Sequence, residues 1–246
     1  MNKVIFIGAG PGDPKLITVK AREILESAKV ILYTGSLVPR EVLSWAPEGC
    51  LVESSEDMSY QEIFDFIEKH IKTSDVVRVH TGDPSIYSTT AKQIKFLDEK
   101  NISYEVIPGV TAAFGAAASL GIEYTIPGVS QTLIISRVEG KTPNPENLES
   151  ILSCKNSSKV FYLSVALLDE LYNTAKKLGY SDDTPCWIVE KATWPEQAVI
   201  KGVLSNIHEK VKEAGIKRTA LILFGDYLYQ EEKEESHLYN VPSGKY

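Results

Sequence analysis

Short apolar runs alternate with amphipathic segments over the first half of the chain. Four runs are rich in β-branched residues and end at glycine or polar stretches, as buried strands do. The predicted strands are Lys3–Gly8, Val30–Tyr33, Asp75–His80 and Tyr104–Ile107. Two intervening segments, Leu16–Ala28 and Ser85–Lys100, carry apolar residues at helical spacing and predict helices.

A capping box precedes a further predicted helix. Ser59 and Glu62 stand three residues apart, the spacing at which each side chain can bond the backbone N–H of the other residue. The apolar residues that then share one helix face are Ile63, Phe64, Ile67 and Ile71. Strands that alternate with amphipathic helices in this way indicate an α/β layer with mainly parallel strands.

A second set of elements follows an alanine-rich segment, Val110–Leu120, and a stretch with proline and glycine, Tyr124–Gly128. The predicted strands are Thr132–Ser136, Lys159–Leu163, Pro185–Glu190, Gln197–Val203 and Thr219–Phe224, and the predicted helices are Pro145–Leu152, Leu167–Leu178 and Asn206–Ala214. We therefore predict two α/β domains, residues 1–118 and 131–246, joined by a linker at 119–130.

The charge balance argues against nucleic acid as a partner. The 246 residues include 26 basic and 33 acidic side chains, for a formal net charge of −7, whereas nucleic-acid binding normally requires a basic face. The acidic segment Glu231–Glu235 accounts for much of the charge of the second half. A small anionic ligand stays compatible with this distribution, provided that local basic side chains or backbone N–H groups bind it.

Cysteine usage and the length of apolar runs predict a cytoplasmic protein without a metal site of its own. Cys50, Cys154 and Cys186 are odd in number and far apart, which argues against a disulfide framework and a zinc site. The histidines are scattered without metal-ligand spacing. The apolar stretch from Val110 to Ile122 is shorter than the ~20 residues of a membrane-spanning helix, and no signal peptide is recognisable.

Two loops of similar sequence follow predicted strands. Gly8-Ala9-Gly10-Pro11-Gly12-Asp13-Pro14 follows the first strand, and Thr81-Gly82-Asp83-Pro84 follows a later one. Loops at the carboxyl ends of parallel strands form the ligand crevice of α/β proteins, so these two predict a site with exposed backbone groups and two carboxylates. Asp13 replaces the last glycine of the dinucleotide fingerprint, and Asp83 could equally cap a helix that begins near Ser85.

Five segments, taken in order, resemble the tetrapyrrole (corrin/porphyrin) methyltransferases, a family that uses S-adenosylmethionine. The segments are Val4–Thr18, Thr81–Tyr87, Pro108–Ala113, Val160–Leu163 and Thr219–Gly225. Two more, Tyr33–Pro39 and Ile126–Thr132, resemble the branch of the family that acts on precorrin-type macrocycles. The resemblance implies two α/β domains with the ligand cleft between them, an anionic tetrapyrrole substrate, S-adenosylhomocysteine as product and a homodimer.

The resemblance also implies roles for individual residues. The residues expected to bind the cofactor are Pro11, Gly82, Asp83, Ile86, Thr111, Ala112, Leu163, Ala192, Thr219 and Ala220. Asp13 and Asp83 are the candidates for orienting the macrocycle or accepting a proton. The residues expected to bind the peripheral carboxylates of the substrate are Ser36, Ser130 and Gln131. Any cobalt is expected to arrive with the substrate, and ordinary core packing stays an alternative explanation for Leu163 and Ala220.

Three alternative functions stay open on the sequence alone. The first is another methyltransferase of the same family, acting on uroporphyrinogen, a different precorrin or a modified histidine on a protein. The second is a nicotinamide-dependent oxidoreductase, which Asp13 disfavours because a carboxylate there would repel the pyrophosphate. No acidic residue closes the second strand, where Tyr33 and Thr34 stand instead. The third is a binding protein that keeps the fold without catalysis.

Overall fold

The computed structural model describes residues 2–140 and 143–230 and divides the chain into two compact units. Unit 1 comprises Met1–Gly115 and Thr193–Pro195, and unit 2 comprises Ala116–Ala192 and Glu196–Tyr246. The division therefore falls between Gly115 and Ala116, a few residues before the linker expected at 119–130. The assignment of three residues from the second half of the chain to unit 1 was not predicted.

The segment expected to be a linker packs as part of unit 2. Tyr124 and Ile126 are 6% and 4% exposed. Ser158 Oγ donates a hydrogen bond to the Tyr124 carbonyl at 2.5 Å. The stretch is therefore a buried connection, because Tyr124 and Ile126 bury their side chains before the chain turns at Pro127 and Gly128.

Unit 1 is built on a five-stranded parallel sheet. Its strands are β1 Lys3–Gly8, β2 Val30–Tyr33, β3 Leu51–Ser54, β4 Val76–His80 and β5 Ser103–Ile107. Their order is β3-β2-β4-β1-β5, and each pair of neighbours is parallel, as the alternation of strands and helices predicts. β1 and β4 are apolar throughout much of their length because they lie in the middle of the sheet, where both faces are covered.

Helices cover both faces of this sheet. They are α1 Val19–Glu26, α2 Arg40–Leu43, α3 Tyr60–His70 and α4 Thr90–Glu99, and α5 Ala112–Leu120 continues from unit 1 into unit 2. Leu25 of α1 packs in a core cluster with Ile7 on one face, whereas Leu97 of α4 packs in a second cluster with Phe6 on the other. Successive residues of β1 thus enter two different cores, since side chains alternate across a strand.

Unit 2 contains a mixed sheet. Its strands are β6 Leu133–Ser136, β7 Ser158–Phe161, β8 Pro185–Glu190, β9 Ala198–Val203 and β10 Ala220–Phe224, in the order β6-β7-β10-β8-β9. β6 pairs with β7 in parallel, and the other neighbours are antiparallel. The helices are α6 Leu148–Ser153, α7 Leu168–Lys177 and α8 Ile207–Glu213, and their apolar faces share one core cluster with the sheet. This unit, unlike unit 1, is not a parallel layer.

Two helices of unit 1 begin three or more residues later than their sequences predict. α1 begins at Val19 because Pro14–Leu16 forms a 3₁₀ turn and Thr18 caps the helix by accepting the Ala21 N–H at 3.3 Å. α4 begins at Thr90, five residues after the predicted start at Ser85. The residues between form a turn, in which the Thr90 hydroxyl donates to the Pro84 carbonyl at 2.7 Å, a local bond that competes with helical bonding.

The capping box of α3 is confirmed, because Ser59 and Glu62 bond each other's backbone N–H groups. β3 and α2 were not predicted, since β3 is a largely exposed edge strand without a buried apolar run, and α2 is a single helical turn. Among the described residues no helix is long and apolar enough to cross a membrane. The acidic segment Glu231–Glu235 lies outside the described residues.

Candidate active site

Unit 1 has a topological switch point between β1 and β4. These strands are neighbours, but the chain leaves β1 through α1 towards β2 and leaves β4 through α4 towards β5. Since α1 and α4 pack on opposite faces of the sheet, the loops Gly8–Pro14 and Thr81–Thr89 start side by side and lead to opposite faces. In open α/β sheets the crevice at such a point, outside the carboxyl ends of the strands, is the usual ligand site.

The two loops are joined through their backbones. Gly82 N–H donates to the Gly10 carbonyl at 2.9 Å, and Gly10 N–H donates to the Gly82 carbonyl at 3.3 Å. A Cβ on Gly8 or Gly109 would lie 2.4 Å or 2.2 Å, respectively, from the Gly82 carbonyl oxygen. The loops after β1, β4 and β5 can therefore meet only because these positions carry no side chain.

The Asp83 carboxylate ties the same loops together. Its Oδ1 accepts the Ser85 N–H at 2.7 Å and the Ser85 hydroxyl, and its Oδ2 accepts the Gly109 N–H at 2.8 Å. The bond to the Ser85 N–H is a local turn, and the bond to Gly109 reaches the loop after β5. Asp83 does not cap α4, because that helix begins at Thr90. Both carboxylate oxygens are occupied within unit 1.

Asp13 has the same local turn but different remote contacts. Its Oδ1 accepts the Lys15 N–H at 2.8 Å, and its backbone N–H donates to Thr193 Oγ1 at 2.9 Å. Within residues 2–140 and 143–230, no donor is bonded to Oδ2. Because Asp13 is only half-buried, this oxygen can contact a ligand.

The turn Thr193–Pro195 packs against the Gly8–Pro14 loop as part of unit 1. Trp194 Nε1 donates to the Pro11 carbonyl at 3.0 Å. On the other side, a Cβ on Gly115 would lie 2.7 Å from Pro11 Cγ and 3.1 Å from Thr193 Cγ2. The part of the loop that carries Pro11 is therefore held by both the turn and α5.

The first turn of α5 lies beside the Gly82 loop. A Cβ on Gly82 would be 3.7 Å from Thr111 Cα and 3.8 Å from the Ala112 nitrogen. Ile86 belongs to the same loop, and its N–H donates to the Asp83 carbonyl at 3.2 Å. The predicted cofactor residues of the first half thus come from adjacent loops of unit 1: Pro11, Gly82, Asp83, Ile86, Thr111 and Ala112.

Three polar side chains are buried in unit 1 near the end of β4. Arg78, His80 and Gln93 are 3%, 1% and 1% exposed. Arg78 donates from Nε to Gln93 Oε1 and from Nη1 to the Leu32 carbonyl, both at 3.1 Å. Both ring nitrogens of His80 lack a hydrogen-bond partner among the described residues. Burial, followed by the nearby Arg78 charge, lowers the pKa of His80 to about 3, so this side chain is neutral at pH 7.

In unit 2 the predicted cofactor residues lie side by side at the ends of three neighbouring strands. Leu163 follows β7 and Ala192 follows β8, while Thr219 and Ala220 stand at the start of β10. Because β10 runs antiparallel to β7 and β8, its start lies beside their ends. Lys191 N–H donates to the Thr219 carbonyl at 2.9 Å, which joins two of these segments directly.

These strand ends of unit 2 are conformationally strained. Leu163, Lys191 and Thr219 have left-handed backbones, with φ of 55°, 47° and 56°. This conformation costs about 1–2 kcal/mol in residues other than glycine, and strained residues of this kind cluster at functional sites. Leu163 is 73% exposed, so it is not a core residue. Ala220 is 7% exposed and packs in the core of unit 2, so core packing accounts for its small size.

Residues 3–208 match the family model described as tetrapyrrole (corrin/porphyrin) methylases. The chain belongs to this family. It is an S-adenosylmethionine-dependent methyltransferase, as the quoted segments predict, and the oxidoreductase alternative is removed.

Named relatives of this methyltransferase align over nearly its whole length. It is 43% identical over 242 residues to the cobalt-precorrin-4 C(11)-methyltransferase of Methanocaldococcus jannaschii, an alignment that covers 97% of this chain and 93% of the relative. It is 42% identical over 241 residues to the precorrin-4 C(11)-methyltransferase of Pseudomonas aeruginosa, and that alignment covers 97% of this chain and 95% of the relative.

Solved structures of the family have the same fold. The structure of the cobalamin biosynthetic enzyme cobalt precorrin-4 methyltransferase, CbiF, superposes with a TM-score of 0.89 at 37% identity, over 92% of this chain and 95% of that one. A uroporphyrin-III C-methyltransferase from Thermus thermophilus, complexed with S-adenosylhomocysteine, gives a TM-score of 0.78 at 27% identity, over 94% of this chain and 100% of that one. The predicted fold class of two α/β domains is confirmed.

The three predicted substrate residues of the methyltransferase have different surroundings. Ser36, in unit 1, donates from its N–H and its hydroxyl to the Glu56 carboxylate, at 3.2 and 3.1 Å. Ser130, in unit 2, is 6% exposed, and its hydroxyl accepts the Ser158 N–H at 2.9 Å, so it supports the start of β7. Gln131 is exposed. Contact of these three residues with a substrate stays a prediction.

Sequence patterns did not identify Gly109, Thr193 or Trp194 as parts of the methyltransferase site. Gly109 lies in one of the segments that resemble the family, but its close approach to Gly82 depends on a neighbouring loop. Thr193 and Trp194 lie next to Ala192, the predicted cofactor residue with the loosest motif match. No local sequence pattern indicates the bond between Thr193 and Asp13 or the bond between Trp194 and Pro11, because the partners are 180 and 183 residues apart along the chain.

A cavity of about 280 Å³ in unit 1 lies at the opposite edge of the sheet. Its lining includes Asn2, Lys29 and Asp75, which precede β1, β2 and β4. The amino edge of a parallel sheet is not where α/β proteins form their ligand crevice, so we do not assign this cavity to the site. The described residues contain no group of three His, Cys, Asp or Glu side chains that could hold a metal ion.

Proposed function

We propose that this methyltransferase transfers a methyl group from S-adenosylmethionine to carbon 11 of a precorrin-4-type macrocycle in cobalamin biosynthesis. The observation that carries the proposal is the similarity to two relatives of that name, 43% and 42% identical over 97% of the chain. Tyr33–Pro39 and Ile126–Thr132 support it, because both segments resemble the same branch of the family.

Positioning is the main chemical task of the protein in this reaction. S-adenosylmethionine supplies an electrophilic methyl group, and a reduced tetrapyrrole supplies an electron-rich, enamine-like carbon. The protein must hold that carbon about 3–3.5 Å from the methyl group, in line with the leaving sulfur. Several ring carbons of a reduced tetrapyrrole have similar reactivity, so the site selects carbon 11 by placement.

Asp13 is the better candidate of the two carboxylates for contact with the substrate. Its Oδ2 has no bonded donor in the described parts of the chain, whereas both oxygens of Asp83 accept bonds, from Ser85 and Gly109. We therefore assign Asp13 to orienting the macrocycle or accepting a proton. Asp83 is assigned to holding the loops that border the cofactor.

The proposed cofactor site consists largely of backbone groups and small side chains. Its residues are Pro11, Gly82, Asp83, Ile86, Thr111 and Ala112 from unit 1 and Leu163, Ala192, Thr219 and Ala220 from unit 2. The residues present fit S-adenosylmethionine. The exposed Leu163 side chain suits an apolar ring face of the cofactor.

The proposed substrate is anionic, and donors from both units are proposed to bind its carboxylates. The Ser36 N–H and hydroxyl both donate to the Glu56 carboxylate, so a substrate carboxylate must displace Glu56 to bind at Ser36. Gln131, which is exposed, is the first proposed donor from unit 2. Ser130 is the second, and its buried hydroxyl must first give up its bond to the Thr132 carbonyl, at 3.0 Å. We also propose a cytoplasmic homodimer, and sedimentation velocity of the purified protein tests the oligomeric state. Cobalt, where present, belongs to the substrate.

The position of the methyl group tests the proposed function directly. The protein is incubated with precorrin-4, with and without cobalt, and with S-adenosylmethionine labelled at the methyl carbon, and the product is analysed by NMR. We expect one label, at carbon 11. Label at another ring carbon, or efficient turnover of uroporphyrinogen instead, would contradict the branch assignment. The comparison of the two precorrin-4 samples identifies whether cobalt is required.

A further inference from the structure

A short turn from the second half of the chain holds the Gly8–Pro14 loop of unit 1. Thr193 Oγ1 accepts the N–H of Asp13, 180 residues away, at 2.9 Å. Trp194 Nε1 donates to the carbonyl of Pro11, 183 residues away, at 3.0 Å. The residues on both sides of Thr193–Pro195 belong to unit 2, whereas the turn itself belongs to unit 1.

The backbone of Thr193 supports a functional purpose for this turn. Its φ is 69°, in the left-handed region that is unfavourable for a β-branched residue. Strained residues of this kind persist where surrounding contacts hold them, and they are concentrated at functional sites. Here the surroundings are tight, because a Cβ on Gly115 would lie 3.1 Å from Thr193 Cγ2 and 2.7 Å from Pro11 Cγ.

The two hydrogen bonds act on different groups of the loop. The bond from the Asp13 N–H fixes the peptide plane next to Asp13, and the carboxylate is fixed by the bond from the Lys15 N–H to Oδ1. Pro11 has no N–H, so its carbonyl is the backbone group through which the loop can be held at this residue. Trp194 bonds that carbonyl.

We propose that Thr193 and Trp194 are positioning residues with separate tasks. Thr193 holds Asp13 in place for turnover, and Trp194 holds Pro11 in place for binding of S-adenosylmethionine. The proposal rests on the proposed roles of Asp13 and Pro11. Loss of the Thr193 bond should therefore lower turnover and leave cofactor affinity nearly unchanged. Loss of the Trp194 bond should weaken cofactor binding and leave turnover at saturating cofactor nearly unchanged.

The Thr193 contact is tested by Thr193→Val, which keeps the shape of the side chain and removes the acceptor. Thr193→Ser keeps the acceptor. Thr73→Val is the matched control, because the Thr73 hydroxyl bonds the His70 carbonyl before β4, at the opposite edge of the sheet. We expect Thr193→Val to increase exchange of the Asp13 amide hydrogen by NMR and to lower kcat, each about tenfold. KM for S-adenosylmethionine should stay within about threefold, and the serine and control variants should behave as wild type.

A double-mutant cycle tests whether Thr193 acts through Asp13. If it does, adding Thr193→Val to Asp13→Asn lowers kcat no further, since the group that Thr193 positions is already lost. The same loss of kcat in the wild-type and Asp13→Asn backgrounds would overturn the proposal. So would wild-type amide exchange and turnover in Thr193→Val while Asp13→Asn is impaired. Wild-type turnover of Asp13→Asn would instead contradict the proposed role of Asp13 itself.

The Trp194 contact is tested by calorimetry with S-adenosylhomocysteine. Trp194→Phe keeps an aromatic ring and removes the donor, so we expect about tenfold weaker binding with kcat at saturating cofactor within about threefold of wild type. Trp187→Phe, in β8, is the control for the loss of a tryptophan and should bind as wild type. Wild-type affinity in Trp194→Phe, or a loss of kcat without a loss of affinity, would overturn this part of the proposal.

Discussion

Replacement of Gly109 by alanine tests whether the backbone junction of Gly8, Gly82 and Gly109 positions the cofactor loops. A Cβ at Gly109 would lie 2.2 Å from the Gly82 carbonyl oxygen and 2.8 Å from the Gly8 Cα. Both neighbours are backbone atoms, so no side chain can rotate away. The loops themselves must separate.

The size of the separation follows from these distances. Opening the 2.2 Å contact to 3.0 Å, the shortest that real Cβ atoms tolerate, moves one of the loops by about 0.8 Å. Gly82 accepts the Gly10 N–H at 3.3 Å, and Gly109 donates to Asp83 at 2.8 Å, so the shift breaks one of these bonds. Loss of one bond costs about 1–3 kcal/mol, and misplacement by about 1 Å costs on the order of a hundredfold in rate.

Calorimetry with S-adenosylmethionine, thermal unfolding and turnover measure the outcome. We expect Gly109→Ala to bind at least about tenfold more weakly, to lose most turnover and to unfold several degrees lower. Gly49→Ala is the control, because Gly49 has a φ of 82° and a Cβ on it would meet no atom of the described residues within 4 Å. It should lose about 1–2 kcal/mol of stability and keep wild-type affinity. Wild-type affinity in a folded Gly109→Ala protein would refute the reasoning.

Two further predictions concern Asp83 and His80. Asp83→Asn places an amide NH₂ against the N–H of either Ser85 or Gly109, so we expect thermal stability to fall by about 1–3 kcal/mol together with turnover; lower turnover at unchanged stability would indicate direct contact with substrate instead. The pKa of His80 falls from its ordinary 6.5 to about 3 on folding, mainly through burial. Between these two values the unfolded chain binds more protons than the folded protein. The free energy of unfolding therefore decreases as the pH falls from 6.5 towards 3, by about 1.4 kcal/mol per pH unit. Urea unfolding at pH 7 and pH 5 should therefore show a smaller loss for His80→Leu than for wild type, and equal losses would contradict the assignment.

The carboxyl edge of unit 1 was predictable because its sequence signals are local. Gly8–Pro14 and Thr81–Pro84 place glycine and proline directly after apolar strands, and these residues determine turn conformation within a few positions. The capping box of Ser59 and Glu62 is equally local. Such signals operate without knowledge of which segments are neighbours in space.

Contacts between distant segments were not predictable from these patterns. The apolar run of β10 indicates burial but not direction, so the antiparallel pairing of β10 with β7 and β8 was not predicted. In the sequence Gly109 looks like an ordinary turn glycine, because its close approach to the Gly82 carbonyl is visible only in the structure. The predicted helix from Ser85 has the correct period, but hydroxyl bonds in the turn before Thr90 delay its start.

The two Gly-Asp-Pro loops look alike in sequence and have the same local structure. In each loop the Oδ1 atom of the aspartate accepts the N–H of the residue two positions later, at 2.8 Å for Asp13 and 2.7 Å for Asp83. Both loops follow central strands of the same parallel sheet. On the motif alone, the two carboxylates are therefore equal candidates for chemistry.

Their remote partners make the two carboxylates different. The second oxygen of Asp83 accepts the N–H of Gly109, 26 residues away, which makes this carboxylate part of the framework. The remote partner of Asp13 is Thr193, 180 residues away, and it bonds the backbone N–H rather than the carboxylate. One oxygen of Asp13 is thereby left for a ligand. These distant partners determine the role of each carboxylate. A variant without the Asp83 carboxylate should lose the junction between the loops. A variant without the Asp13 carboxylate should keep the fold and the cofactor affinity and lose turnover.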